Sequence, residues 1–146
     1  MGIFNSMDIS ATGLTAQRLR LDTISNNIAN ASTTRTPQGG AYRRQRVVFS
    51  ERNSRSTFGS LLSKVTDKNV ARGVRVVAIE KDPTPLTSVY DPTHPDADTE
   101  GYVMMPNVNI ITEMVDMISA ARSYEANMTA LDAAKSMISK ALEIGK

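Results

Sequence analysis

Residues 108–143, VNIITEMVDMISAARSYEANMTALDAAKSMISKALE, carry the pattern that decides the fold. With Met114 as position a of a heptad, the a positions are Met114, Ala121, Met128, Lys135 and Leu142. The d positions are then Ile110, Met117, Tyr124, Leu131 and Ile138. Nine of those ten are apolar or aromatic, so the spacing predicts one long amphipathic helix with an unbroken seam. Pro106 precedes it, Asn107 or Asn109 can cap it, and Gly145 can end it. At about 1.5 Å per residue such a helix is roughly 54 Å long. Lys135 interrupts the seam; it either fixes register or extends its ammonium to water along the helix surface.

A second helix is expected over 5–31. Asn5 can cap it, and Phe4 and Ile9 are spaced for a hydrophobic staple. Met7, Leu14, Leu21 and Ile28 recur every seventh residue, with Ala11, Ile24 and Ala31 on the same side. Gly13 costs about 1 kcal/mol relative to alanine inside a helix, so it marks either a close approach or a kink. Each buried seam position contributes roughly 1.5–3 kcal/mol, which a lone exposed helix cannot collect. Both helices therefore need a partner, within the chain or across subunits.

Between them, residues 32–107 have another texture. STTRTPQGGAY is loop-like, YRRQRVVF and GVRVVAIE read as strands, SERNSRSTFGS as a loop and LLSKV as a short element. Four prolines from Pro83 to Pro95 favour an extended, ordered arm or loop rather than a packed domain. The expected fold is mainly α, with terminal helices (1–31 and 108–146) pairing as a coiled-coil-like layer. A small β and Pro-rich middle occupies 32–107. No internal repeat is evident.

Composition narrows the chemistry. The 146 residues suit one ordinary domain, but with 5% aromatics and no Trp a globular core would be thin. Without cysteine there is no disulfide or thiolate metal site. Residues 1–55 hold eight Arg or Lys against three Asp or Glu, and the remainder nine against twelve. No stretch approaches the roughly 20 apolar residues of a membrane span, and the opening MGIFNSMDIS lacks a signal peptide's charged and apolar regions. MGIFNS is a formal myristoylation match of the kind that recurs by chance.

Catalytic and cofactor motifs are not expected. His94 lies alone between Thr93 and Pro95, with no serine elbow or second base nearby. DADTEGYVMMPN places Asp96, Asp98, Glu100 and Gly101 at positions 1, 3, 5 and 6 of a calcium-loop pattern. Position 12, however, is Asn107, and Pro92 and Pro95 rule out an entering helix. An acidic turn is the default, with a calcium-binding protein as the alternative. Arg43, Arg44 and Arg46 could contact phosphates, but strand alternation splits them between two faces, so no nucleic acid is expected. The acceptor triplets NAS and NMT fall in or beside helices and are discounted.

The three asparagines of TISNNIANASTTRTP, residues 23–37, ask for an explanation, because asparagine competes with the helix for backbone hydrogen bonds. With Ile28 at a, Asn26 falls at f, Asn30 at c and Asn27 beside the seam. A face meant only for water is usually Lys and Glu; short amides suit dense protein contacts. The asparagines are thus expected to face neighbouring subunits.

At these residues the chain resembles a known family. GLTAQRLRLDTISNNIANASTTRT is similar to the N-terminal signature of bacterial flagellar rod, hook and hook-associated proteins, and residues 101–146 to their C-terminal signature. The short middle with VYDPTHPDADTEGYV, and the junction STTRTPQGGAYRR, look like the proximal-rod members. The resemblance covers essentially the whole chain. It implies a non-catalytic axial subunit, without cofactor or metal, exported through the flagellum's own type III apparatus without a cleaved signal peptide. It further implies self-assembly, with terminal helices forming an inner layer around the central channel of the periplasm-spanning rod. Other proximal-rod and distal-rod proteins and rod-to-membrane-ring components would be neighbours. Gly13, Asn26, Asn27, Asn30, Arg122, Glu125 and Asn127 are the candidate subunit contacts.

Overall fold

The computed structural model describes residues 3–52 and 72–144. The loop expected beyond residue 52, the short element at 61–65 and the terminator Gly145 lie outside them. The element order is α1 (Ile3–Ala29), β1 (Gln45–Glu51), β2 (Val74–Lys81), β3 (Thr87–Tyr90), β4 (Tyr102–Met105) and α2 (Ile110–Ile144). Both long helices and the first two strands fall where the sequence pattern puts them. Of the three asparagines expected as caps, Asn109 caps α2: its Oδ1 accepts from the N–H groups of Ile111 and Thr112. Asn5 lies inside α1, and Asn107 is engaged elsewhere.

β1 pairs with β2, and β3 with β4, as separate two-stranded sheets. The Pro-rich arm thus contains a hairpin: β3 and β4 are antiparallel, from Thr87 opposite Met105 to Tyr90 opposite Tyr102. The tyrosine rings meet edge to face at 5.3 Å. Prolines guide this segment through a repeated turn. Asp82-Pro83-Thr84 and Asp91-Pro92-Thr93 fold alike, each aspartate accepting from the threonine N–H and hydroxyl. The hydrogen bonds to Thr84, side chain first and backbone second, together with Arg44, lower the Asp82 pKa to about 2. Thr93 depresses Asp91 in the same way. At the hairpin's far end Gly101 has φ +82°, and a Cβ there would come within 3.0 Å of the Tyr90 ring.

The chain divides into two compact units. One comprises Met1–Arg18, Phe49–Val77 and Ala121–Lys146; the other comprises Leu19–Val48 and Ala78–Ala120. In the first, Gly13 of α1 lies against α2: a Cβ there would stand 2.8 Å from Asn127 Oδ1. Close approach, rather than a kink, accounts for this glycine. Ala16 and Ala134 are buried. Thr12 ties the start of β2 to α1, its hydroxyl accepting from Val74 N–H and donating to the Ile9 carbonyl. In the second unit the interior is made by Thr23, Ile24 and Asn27 of α1 with Ala41, Val103, Glu113 and Ala120.

Side-chain size decides how much such interiors can stabilise. Among the described residues six apolar residues are buried and four of them are alanine, whereas sixteen large apolar or aromatic residues are exposed. Alanine brings little apolar area out of water. Among the described residues, more large apolar side chains are exposed than buried.

Candidate functional site

The asparagine run on α1 is where the site begins. Asn26 and Asn30 finish the helix: the Asn30 amide donates to the carbonyl and side-chain oxygens of Asn26, and the Thr33 hydroxyl donates to Asn30 Oδ1. Asn27 does something different. Expected beside the seam and against a neighbouring subunit, it is 1% exposed and interior. Its Oδ1 accepts from Gln45 N–H and the Tyr42 hydroxyl, both at 2.9 Å. Its Nδ2 donates to the Gln45 carbonyl at 2.8 Å and to Glu113 Oε2 at 2.9 Å. One amide thus satisfies groups on the incoming strand and on α2 without burying further charge.

Glu113 is the second member, also 1% exposed. Arg44 Nε donates to its other oxygen at 2.6 Å, while Arg44 also reaches Asp82 at 3.4 Å and Asp116 at 3.2 Å. Arg20 completes the set on Asp116 at 3.3 Å. Burial pulls the Arg44 pKa down, but the hydrogen bond and charge of Glu113, with Asp82 and Asp116, outweigh it and the net shift is upward. The Tyr42 hydroxyl is pushed up by burial and then by the Glu113 charge. A buried carboxylate is tolerable only when paired and hydrogen-bonded, and Glu113 is both.

This cluster changes which side of α2 is inner. Position g, not a, is most buried: Glu113 and Ala120 in one unit, Ala134 in the other. The d residues Met117, Tyr124, Leu131 and Ile138 are half-buried, as is Ala121. Met114, Met128 and Leu142, expected in the seam, are exposed, as are Ile110 and Lys135. On α1 the seven-spaced Met7, Leu14, Leu21 and Ile28 are half-buried, while Gly13, Ala16, Thr23, Ile24 and Asn27 are the buried face. The seam is displaced because Glu113 needs Arg44 and Asn27, and because Gly13 and Asn127 fit only without bulk between them.

The displacement leaves an apolar stripe at the start of α2. Ile110, Ile111, Met114, Val115 and Ile118 are 47–75% exposed within nine residues. The stripe runs into an open cleft of about 540 Å³ edged by Pro85, Pro106 and Val108. Beyond it Arg122 and Glu125 are exposed, as is Asn26 on α1. Clustered exposed apolar side chains of this kind mark an interaction surface.

The other candidates take up ordinary roles. Asp96 accepts from the Thr34 hydroxyl, Asp98 from Glu100 and Tyr102 N–H, and His94 Nδ1 from Asp96 N–H. Among the described residues no three His, Cys, Asp or Glu side chains gather as metal ligands. Arg44 is half-buried and paired with Glu113, Arg46 pairs with Glu80, and Arg43 lines a pocket beside Lys81. No described helix is long and apolar enough to cross a membrane.

Comparison with known proteins assigns this arrangement. Residues 7–35 match the family described as flagella basal body rod protein, and residues 99–144 match the flagellar basal body rod FlgEFG protein C-terminal family. The flagellar basal-body rod protein FlgC of Borreliella burgdorferi is 55% identical, covering 99% of this chain and 98% of its own. The chain belongs to the FlgC family. FlgC of Bacillus subtilis is 47% identical and FlgC of Escherichia coli O6:H1 38%, each over the full length of both chains. As a FlgC-family chain it is a structural subunit of the flagellar basal-body rod. The two matched regions contain most of α1, and β4 with all of α2.

Sequence reasoning missed the cluster of Arg20, Tyr42, Arg44, Asp82, Asp116 and Glu113. One signal was available: Glu113 has no basic residue three or four positions away on its own helix, so any cationic partner had to come from elsewhere.

Proposed function

We propose that this chain is a non-catalytic subunit of the proximal part of the rod, polymerising through its terminal helices to transmit torque and to line the export channel. The two helices pair within the chain as a coiled-coil-like layer. Asn27 with Glu113 and Arg20 with Asp116 support that pairing in one unit, and Gly13 against Asn127 supports it in the other. Contacts between subunits are heterologous, so their repetition builds a helical tube rather than a closed pair. Other rod proteins, rod-to-membrane-ring components and the export apparatus are its partners. Asn26, Arg122 and Glu125, all exposed, are retained as subunit contacts.

The observation carrying this reading is the exposed Ile110–Ile118 stripe on a chain whose interior is mostly alanine. Ile111→Asp with Val115→Asp tests it, because both side chains are exposed and the free protein is expected to keep its fold. Supplied to a strain lacking the native protein, the double variant is expected to be made and exported but to form no rods. Normal swimming of that strain would contradict the proposal.

A further inference from the structure

The heptad of α2 offers two inner faces, and the structure uses the less apolar one. Turning Met114 inward in place of Glu113 needs a rotation of about 100° about the helix axis, the angle between successive residues. That alternative would bury Met114 and Ile110 and turn the flank of the exposed stripe out of water, which the hydrophobic effect favours. The helix is instead held with a carboxylate inside, at 2.6 Å from Arg44 Nε and 2.9 Å from Asn27 Nδ2. Replacing a buried ion pair by apolar residues of similar volume is often neutral or stabilising, whereas a buried polar group fixes one arrangement against others.

We infer that Asn27, Arg44 and Glu113 are positioning residues that set the rotation of α2 in this unit, and so hold the Ile110–Ile118 stripe at the surface. They suppress an apolar alternative in which the chain would hide that stripe in its own seam. Arg20, Asp82 and Asp116 complete the charge around Arg44, and each retains a second partner or solvent access when Arg44 is replaced. The value of an open stripe for assembly rests on the function proposed above; the rotation does not.

The absence of native cysteine makes the test direct. Met114→Cys places a single thiol on the exposed side of α2, and its rate of alkylation reports rotation in the free protein. In the otherwise native chain the thiol is expected to react nearly as fast as in an unfolded peptide. In the Arg44→Met, Glu113→Leu background the rate should fall about tenfold as the position turns inward, because reaction then waits on local opening. The urea midpoint should be unchanged or higher. Equal alkylation rates in the two backgrounds overturn the inference. So does loss of cooperative unfolding in the double variant, which would mean that no apolar alternative exists to be suppressed. Slower alkylation combined with normal swimming supports the inference while removing the stripe from the assembly contact.

Discussion

The two units close α1 against α2 by opposite means. In the unit of Leu19–Val48 and Ala78–Ala120 the helices are joined by groups that must be satisfied: Asn27, Glu113, Arg44 and Asp116. In the unit containing residues 1–18 and 121–146 they are joined by the absence of bulk, with Gly13 against Asn127 and Ala16 and Ala134 buried. A polar cluster specifies one geometry and punishes loss of any member; a small-residue contact is permissive until something larger is inserted. The difference teaches that a thin interior can still be specific, provided the specificity is polar in one place and steric in the other.

Removing the most connected polar group should have the largest effect. Asn27→Ala leaves the Tyr42 hydroxyl, Gln45 N–H and Glu113 each short of a partner, and is expected to destabilise by about 3 kcal/mol. A thermal melt followed by circular dichroism should show a midpoint about 9 °C lower. A change within about 1 °C would mean that water replaces the amide and that the cluster is not the specifying element.

The steric contact is tested by filling it. Gly13→Val is expected to cost about 1–2 kcal/mol in urea denaturation, because its two methyl groups extend a Cβ that already meets Asn127. Gly13→Ala should be nearly neutral, the gain of about 1 kcal/mol in helix propensity offsetting a small shift of the Asn127 amide. Adding Asn127→Ala to Gly13→Val should recover part of the loss; strict additivity of the two changes would show that they do not touch.

The smallest effect belongs to the turn that supports the polar side. Asp82 has a folded-state pKa of about 2, below its ordinary value, so its contribution is present above the usual carboxylate range and is lost as pH falls through about 2. The thermal midpoint of the native chain should therefore drop more between pH 4 and pH 2 than that of Asp82→Asn. Parallel curves for the two proteins would remove Thr84 and Arg44 as meaningful partners of the ionised form.

Much of this architecture was legible from residue order. The heptads gave both helices because a 3.6-residue period survives whatever packs against it, and the β-branched runs gave β1 and β2. The β3–β4 hairpin was hidden behind four prolines: TSVY is too short to signal alone, and its pairing with YVMM depends on the Asp-Pro-Thr turns and on Gly101. The asparagines were read together as facing neighbouring subunits, Asn26 and Asn30 outward and Asn27 beside the seam, whereas Asn26 and Asn30 close a helix and Asn27 is interior. Their identical chemistry does not reveal which of them meets a carboxylate far along the chain.

Sequence alone determined two long terminal helices, a β-containing middle and membership in a structural family, because these follow from local periodicity and from long continuous signatures. Only the tertiary structure decided which face of each helix turns inward. That choice depends on Arg44, Asn27 and Glu113 meeting from distant parts of the chain, and on the space that Gly13 leaves for Asn127. Periodicity can say that a helix has an apolar side, but a buried charge and its partners decide whether that side faces in.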